Sequence, residues 1–332
     1  MVTASPAPSL RVTATLGPAS THETIIRALA RVACRFRLNA SHLDAQALHT
    51  WLTRLVGLAD AGMPRREVVI DLQGAKMRLG RLSTPRRVEG EVQLVPCASS
   101  DEAGVLPVPH PELFSATRKG ERLSADDGRV ILRLLEDPTP QGVRALVERG
   151  GMLSSHKGIN RADHPVPYAA LGSRDRRAIE VGEAFTGLDI SYAFSFVHTG
   201  EEARLLCGLT SSPLVAKIER PEAFAHLDAI EGAFDELWLC RGDLGAQAGL
   251  LQLGPLQERF VQWMQTSKKP AILAGEVLGH LSVATEPTRS EVVHLYQTQR
   301  DGFAGIVLSD ETAVGQHPLE VARVLEQLCG LA

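Results

Sequence analysis

Short apolar runs rich in β-branched residues alternate along the chain with longer stretches whose apolar positions recur at three- and four-residue spacing. The runs at 10–16 (LRVTATL), 34–38 (CRFRL), 67–72 (EVVIDL), 189–197 (DISYAFSFV), 214–219 (LVAKIE), 236–241 (ELWLCR), 270–274 (PAILA) and 305–309 (GIVLS) predict strands. Near-continuous apolar runs are what a strand covered on both faces requires. Amphipathic stretches at roughly 21–32, 44–61, 174–187, 200–210, 221–233, 255–267, 288–300 and 318–329 predict helices between and after them. Pro221, Pro255 and Pro318 read as helix-opening residues, where a missing N–H is harmless. Strand and helix alternating in this way predict an α/β protein of the (β/α)8 TIM-barrel type. An open doubly wound sheet would carry a Gly-rich fingerprint after its first strand, and GPAS at 17–20 is not one.

One interval breaks the rhythm. From Gly80 to Leu153 the chain turns Pro-rich and strand-like, through VEGEVQLVPC, VLPVPHPELF and GERLSADDGRVILRLLE. The expected organisation is therefore a barrel over 1–80 and 153–332, with a small β-rich lid domain over 81–152 inserted after strand three. Loops at that end of a barrel carry active sites, which is why the insertion reads as a lid.

Composition narrows the function classes. With 332 residues and 44% hydrophobic content the chain can bury a large core, and a net charge of -4 offers no global basic field for nucleic acid or anionic membrane. The first ten residues lack a charged start and a long apolar stretch, so no signal peptide is expected, and a cytoplasmic protein is. Cys34, Cys97, Cys207, Cys240 and Cys329 show no CxxC spacing and read as buried free thiols. The eleven histidines form no metal-ligating spacing.

The chemistry-bearing residues gather at the carboxyl ends of the predicted strands, which face a barrel's active site. Strand two ends in Arg37, Asn39 and Ser41; strand three in Asp71; strand five carries Lys217 and Glu219; strand six runs into Arg241, Gly242 and Asp243; strand eight ends in Ser309 and Glu311. At strand period two, Lys217 and Glu219 share one face. Glu219 and Asp243, two carboxylates from adjacent strands, suit Mg2+ or Mn2+, a hard cation that takes oxygen ligands and few protein groups. Lys217 would then stabilise charge developing on a phosphoryl group or an enolate oxygen. Arg37 offers a fixed fork of donors matched to phosphate, and the glycines around Asp243 can present N–H groups to a carboxylate or phosphate. Asp71, Asn39 and Ser41 supply oxygens suited to holding a cation.

Read in order, ATLGPAS, RLNASH, DLQGAKMRLG, LSSHKGIN, LVAKIERPEAF, RGDLG, EPTRSE and VLSDETAVGQHPLEVAR resemble the motifs of the pyruvate kinase family over most of residues 10–327. The resemblance implies Mg-dependent phosphoryl transfer from phosphoenolpyruvate to ADP, giving pyruvate and ATP. It implies Glu219 and Asp243 as ligands of Mg2+ (or Mn2+), Lys217 as the group stabilising the transferring phosphoryl, and Arg37 as a phosphate contact. The amides around Gly242 and Asp243 would receive the substrate carboxylate, and Arg78, Asn39 and His42 would face nucleotide phosphates. Asn39, Ser41, Asp71 and the Leu72 carbonyl match the family's monovalent-cation site.

The sequence departs from the family pattern in three places. Lys76 stands where K+-requiring members carry glutamate, which implies an enzyme that does not require K+. Gly275, followed by Glu276, stands in place of a substrate-contacting threonine linked to proton delivery; Ser309 and Glu311 remain as members of a proton relay. The family's C-terminal regulatory domain has no counterpart after the eighth helix, so the expectation is no sugar-phosphate activation and a smaller assembly such as a homodimer. Two other readings stay open: a metal-dependent lyase or aldolase of the phosphoenolpyruvate/pyruvate barrels, and a catalytically weakened relative that binds a metabolite.

Overall fold

The computed structural model describes residues 10–126, 128–161 and 170–329. The chain divides into two compact units, Met1–Gly74 with Ala170–Ala332, and Ala75–Ala169.

Among the described residues of the first unit, eight parallel strands close into a barrel. They are β1 (Arg11–Thr15), β2 (Arg35–Asn39), β3 (Glu67–Leu72), β4 (Ile190–Phe194), β5 (Leu214–Ile218), β6 (Glu236–Cys240), β7 (Ala271–Ala274) and β8 (Gly305–Leu308). Each pairs with its sequence neighbours, and β1 pairs with β8 to complete the ring. This is the fold that the strand–helix alternation predicted.

Period-two alternation fills the barrel in layers. Outward residues such as Ile70, Phe194, Ile218 and Leu239 are fully buried, as helices on the outer face require. Inward, Val69, Ala193, Val215, Trp238, Ile272 and Val307 form an apolar middle layer. Below it, at the amino ends of the strands, a charged layer plugs the barrel. Arg35, 3% exposed, donates both Nη atoms to Glu236 at 2.9 Å, and Arg11 reaches both Glu236 (3.4 Å) and Glu67 (3.1 Å). Above the middle layer lie Arg37, Asp71, Lys217 and Cys240.

The helices of this unit are α1 (Glu23–Val32), α2 (Ala45–Asp60), α3 (Ser173–Glu183), α4 (Leu227–Ala233), α5 (Arg241–Ala248), α6 (Leu250–Met264), α7 (Arg289–Arg300), α8 (Asp310–Ala313) and α9 (Pro318–Cys329). Several expectations need correction, among them the helix placed at 221–233, where Pro221 opens only a 3-10 turn, Pro221–Ala225, before α4 begins at Leu227. The stretch 200–210 is only a short 3-10 turn, Glu201–Leu205. Gly200 (φ +92) and Gly208 (φ +79) bracket it, and the Glu202 carboxylate folds back onto the His198 and Gly200 amides, tightening the loop. The helix placed at 174–187 ends at Glu183, where the Phe185 amide takes the Gly182 carbonyl in a tighter turn. Pro255 does not open a helix. α6 begins five residues earlier, at Leu250, because Gly249 (φ +83) breaks the chain between α5 and α6. Pro255 then forfeits one hydrogen bond just past the first turn, whose four amides have no intrahelical acceptor in any case. Of the cysteines whose side chains are described, only Cys240 is buried, while Cys34 and Cys97 are half-buried and Cys207 is exposed.

The second unit is β-rich. A six-stranded sheet runs in the order Ile159–Arg161, Arg122–Ala125, Val130–Leu134, Val143–Arg149, Glu91–Val95 and Val105–Pro107, with a separate pair formed by Arg86–Val88 and Gly151–Leu153. Its own core includes Leu94, Leu106, Val130, Leu132, Ala145 and Ile159. Among the described residues, no helix is long and apolar enough to cross a membrane.

Candidate active site

The carboxyl end of the barrel holds a compact set of charges. Lys217, on the inward face of β5, places Nζ 3.1 Å from Asp71 Oδ2 and 3.0 Å from Glu219 Oε1, and donates to Ser195 Oγ at 3.0 Å. Arg37 approaches Asp71 from the other side, donating from Nε to Oδ2 at 2.7 Å and from Nη1 to Thr15 Oγ1 at 3.0 Å. Thr15 passes its own hydroxyl proton to the Leu308 carbonyl at 2.7 Å. Ser195 closes the arrangement by donating to the Leu72 carbonyl at 2.8 Å. Glu219 Oε2 accepts the Phe196 amide at 2.8 Å, so each of its oxygens is oriented by a separate donor.

Two cations and two carboxylates in so small a volume fix one another's charge. Burial works against the Lys217 ammonium, yet the Asp71 and Glu219 carboxylates outweigh it and hold the group above the ordinary lysine range. Burial likewise opposes the Asp71 carboxylate, and Lys217 and Arg37 reverse the balance, keeping it below its usual value. Both ions are therefore charged throughout the neutral range. Cys240 lies in the same field. Burial pushes its thiol well above the ordinary value, Glu219 pushes it further, and Asp243 is among the charges it feels. Cys240 is thus a neutral thiol here.

The next strand contributes backbone. β6 runs directly into α5 at Arg241, so Gly242 and Asp243 occupy a helix's first turn, whose amides have no intrahelical acceptor. Gly275, at the end of β7 with φ +88, lies against this turn, and a Cβ there would sit 3.0 Å from Gly242 N and 3.3 Å from Arg241 N. The missing side chain keeps the Gly242 amide approachable. Arg241 stabilises the unusual turn from outside, donating to the Gly275 carbonyl at 3.0 and 2.7 Å and to the Glu276 carbonyl at 2.9 Å. Glu276 is itself held at φ +50, a conformation that non-glycine residues seldom adopt.

Glu311 is 1% exposed at the start of α8, accepting the Ser309 amide at 2.6 Å and the Leu278 amide at 3.4 Å. Burial raises its carboxyl pKa, and the two amides only partly oppose that. A carboxyl group that keeps its proton more readily than usual has the character a proton relay needs.

The structure thus brings Arg37, Asp71, Leu72, Lys217 and Glu219 together, with Gly242, Asp243 and Gly275 paired around the β6–α5 junction. Other predicted residues have more local surroundings. Asn39 Oδ1 accepts the Ser41 amide at 3.1 Å, a turn within the loop after β2, and His42 is exposed on that loop. Lys76 and Arg78 belong to the second unit, where Arg78 donates to the His156 carbonyl at 2.8 Å. Three participants were not anticipated from sequence: Ser195, Thr15 and Asp175, whose carboxylate accepts the Gln73 and Gly74 amides at 2.9 Å each. The signal for Ser195 and Thr15 was available, as hydroxyls at inward positions of otherwise apolar strands. For Asp175 there was none beyond an acid in a helix's first turn, which usually marks ordinary capping.

Among the described residues, no three side chains of His, Cys, Asp or Glu are grouped so as to hold a metal ion by themselves. That does not oppose a hard divalent cation, which is commonly held by one or two carboxylates with water and substrate oxygens completing the shell. Glu219, one residue past β5, and Asp243, in the helical turn that follows β6, match such a site by donor type.

Comparison with known proteins agrees with this architecture. Residues 8–322 match the family described as pyruvate kinase, barrel domain. The pyruvate kinase of Mycobacterium tuberculosis is 31% identical over 327 residues, spanning 96% of this chain and 69% of that protein. The pyruvate kinase of Thermococcus litoralis is 29% identical over 338 residues, spanning 97% and 69%. Among solved structures, the pyruvate kinase of Pyrobaculum aerophilum shares the fold with a TM-score of 0.82 at 24% identity, over 97% of this chain and 73% of that one. The motif order, the closed barrel and these similarities lead to one assignment: the chain belongs to the pyruvate kinase family, an enzyme family of phosphotransferases.

Proposed function

We propose that this protein transfers a phosphoryl group between phosphoenolpyruvate and ADP, giving pyruvate and ATP, with Mg2+ or Mn2+ and without a requirement for K+. The observation that carries the reading is the Lys217 ammonium held between Asp71 and Glu219 at the carboxyl end of the barrel. Phosphoryl transfer demands positioning and positive charge far more than covalent chemistry, and this cluster supplies both. Lys217 stays charged at neutral pH and presents a preorganised positive group to the oxygens on which charge develops. Arg37 is immobilised by Asp71 and Thr15, so its remaining donors meet a phosphate without further ordering.

Glu219 and Asp243 would hold the divalent cation, which when bound polarises phosphoryl and carboxylate oxygens as a Lewis acid. The amides at the start of α5 suit the substrate carboxylate, since helix N-termini favour anions. Ser309 and Glu311 are the groups assigned to proton delivery at the enolate. Arg78, Asn39 and His42 are assigned to nucleotide phosphates by family resemblance, and Lys76 to the charge that K+ supplies in other members.

A coupled assay tests the reading directly. Pyruvate should form from phosphoenolpyruvate only when ADP and Mg2+ are both present. Cleavage of a 2-keto acid without nucleotide would instead select a lyase, and metabolite binding with no turnover would select the weakened relative. Activity in Na+ buffer should be unchanged by added K+; negligible activity restored by K+ removes the assignment of Lys76.

A further inference from the structure

We propose that Asp175 is a positioning residue for the catalytic cluster, fixing the segment that leaves β3 so that Asp71 and Ser195 hold Lys217 in place. The inference rests on the functional reading above for its kinetic consequence and on geometry for the rest.

Asp175 lies in the first turn of α3, where an acid ordinarily bonds the amides of its own helix. Here both carboxylate oxygens reach elsewhere. Oδ1 accepts the Gln73 amide and Oδ2 the Gly74 amide, each at 2.9 Å and about a hundred residues away in sequence, and Asp175 is only 2% exposed. The clamped residues follow Asp71 and Leu72 directly. On the other side, Gly74 presses on β4's continuation so closely that a Cβ would lie 2.6 Å from the Ser195 carbonyl oxygen and 2.7 Å from its nitrogen. Gly74 also holds φ +56. Ser195 in turn receives Lys217 Nζ at 3.0 Å and donates to Leu72 O at 2.8 Å.

The segment is therefore pinned between α3 and Ser195, and Lys217 takes two of its three oxygen partners, Asp71 and Ser195, from that sandwich. Gly74 also ends the first segment of the first unit, so this is the point at which the chain departs into the second. Loosening the clamp removes the two bonds that tie this segment to α3, and the exit from β3 can then shift against Ser195. A capping acid would serve α3; this one serves a distant loop next to the reacting groups. Burial supports the distinction, since it pushes the Asp175 carboxyl up to about 6 against the pull of the two amides.

The test compares wild type with Asp175→Asn by three readouts: amide hydrogen exchange at Gln73 and Gly74, the Nζ resonance of Lys217 in 15N-lysine-labelled protein, and kcat with phosphoenolpyruvate and ADP. Asparagine keeps the shape but can accept only one of the two amides. Exchange at the amide that loses its acceptor should quicken about tenfold, the scale of a lost hydrogen bond. The Lys217 resonance should move, and kcat should fall about 100-fold, the cost of misplacing a catalytic group by roughly an ångström. The thermal midpoint at neutral pH should stay within a few degrees of wild type.

An unmoved Lys217 resonance, or an unchanged kcat despite faster exchange, overturns the proposal. Should wild type not turn over these substrates, the functional reading fails on its own, while exchange and the Lys217 resonance still decide the role of Asp175. If Asp175→Asn does not fold, Gly74→Ala displaces the same segment from the Ser195 side. It must shift the Lys217 resonance too, and a silent result there is equally fatal.

Discussion

Lys217 and Asp71 meet across an intervening strand: Nζ lies 3.1 Å from Oδ2, although β5 and β3 are separated by β4. The contact is possible because β4 and the residue after it turn small side chains inward, Ala193 and Ser195, which leaves room for the lysine stem. The pair therefore ties three strands together and at the same time presents the ammonium to the open end of the barrel. Lys217→Met keeps the stem and removes the charge. Turnover should fall by about 1,000-fold, the scale of losing a preorganised electrostatic group. Stability should drop as well, by roughly 3–5 kcal/mol, because Glu219 loses its cation while buried. The coupled assay and urea unfolding measure the two effects separately; a stable, inactive variant would show that Glu219 finds another partner.

Gly275 stands where the family pattern has threonine, and sequence alone leaves open whether restoring that threonine would raise or lower activity. The structure predicts a loss. With φ +88 the position strains any side chain, and a Cβ would press on the Gly242 amide at 3.0 Å. Gly275→Thr should lower activity and raise the KM for the carboxylate-bearing substrate by about tenfold or more, the scale of one lost hydrogen bond to a charged group. Gly275→Ala should do so almost as strongly. A gain in kcat for either variant would mean that the turn after β7 can readopt an ordinary conformation.

The sequence made the barrel legible because its strands are apolar on both faces and its connecting stretches are amphipathic, two signals that survive without any alignment. It also located Lys217, Glu219 and Asp71, since charges inside apolar strands stand out against their surroundings. Contacts that depend on distant backbone were not legible. Nothing in the local pattern around Asp175 says that its partners are the Gln73 and Gly74 amides, and nothing around Gly275 reveals φ +88. The helix expected at 200–210 failed for a related reason: apolar spacing there is helical, but Gly200 and Gly208 adopt positive φ and Glu202 bonds the loop instead.

The charged plug at the amino end of the barrel separates stability from chemistry. Glu236 accepts Arg35 at 2.9 Å through both oxygens, Arg11 at 3.4 Å, and the Trp238 indole N–H. Glu236→Gln would remove the buried carboxylate of Arg35, 3% exposed, and leave it the half-exposed Glu67 carboxylate at 3.5 Å. Removing one partner of a buried pair costs about 3–5 kcal/mol. KM values should not move, because the apolar layer of Val69, Val215, Trp238 and Ile272 lies between this pair and Lys217. Denaturant midpoints should fall while KM stays put, and a rise in KM would show that the middle layer transmits the disturbance.

Asp175 and Asp71 should give the protein opposing pH responses. Burial raises Asp175 to about 6, the Gln73 and Gly74 amides lower it, the Asp71 charge raises it and Arg174 lowers it. An aspartate in an unfolded chain releases its proton near 4, so between about pH 4 and 6 the folded protein binds a proton that the unfolded chain does not. The contribution of Asp175 to stability is therefore present in full below that window and is lost as pH rises through about 6. Asp71 is depressed and behaves in the reverse sense: burial opposes its charge, Lys217 and Arg37 prevail, and its contribution is lost only as pH falls through its lowered value. Thermal midpoints measured from pH 4.5 to 7 should show Asp175→Asn gaining on wild type as pH rises. Activity should answer the same group in the opposite direction. Below about pH 6 the protonated carboxyl holds the two amides less well, so the wild-type kcat should decline with a midpoint near that value, a limb missing from Asp175→Asn. Parallel stability curves for the two proteins would show that Asp175 does not titrate in this range.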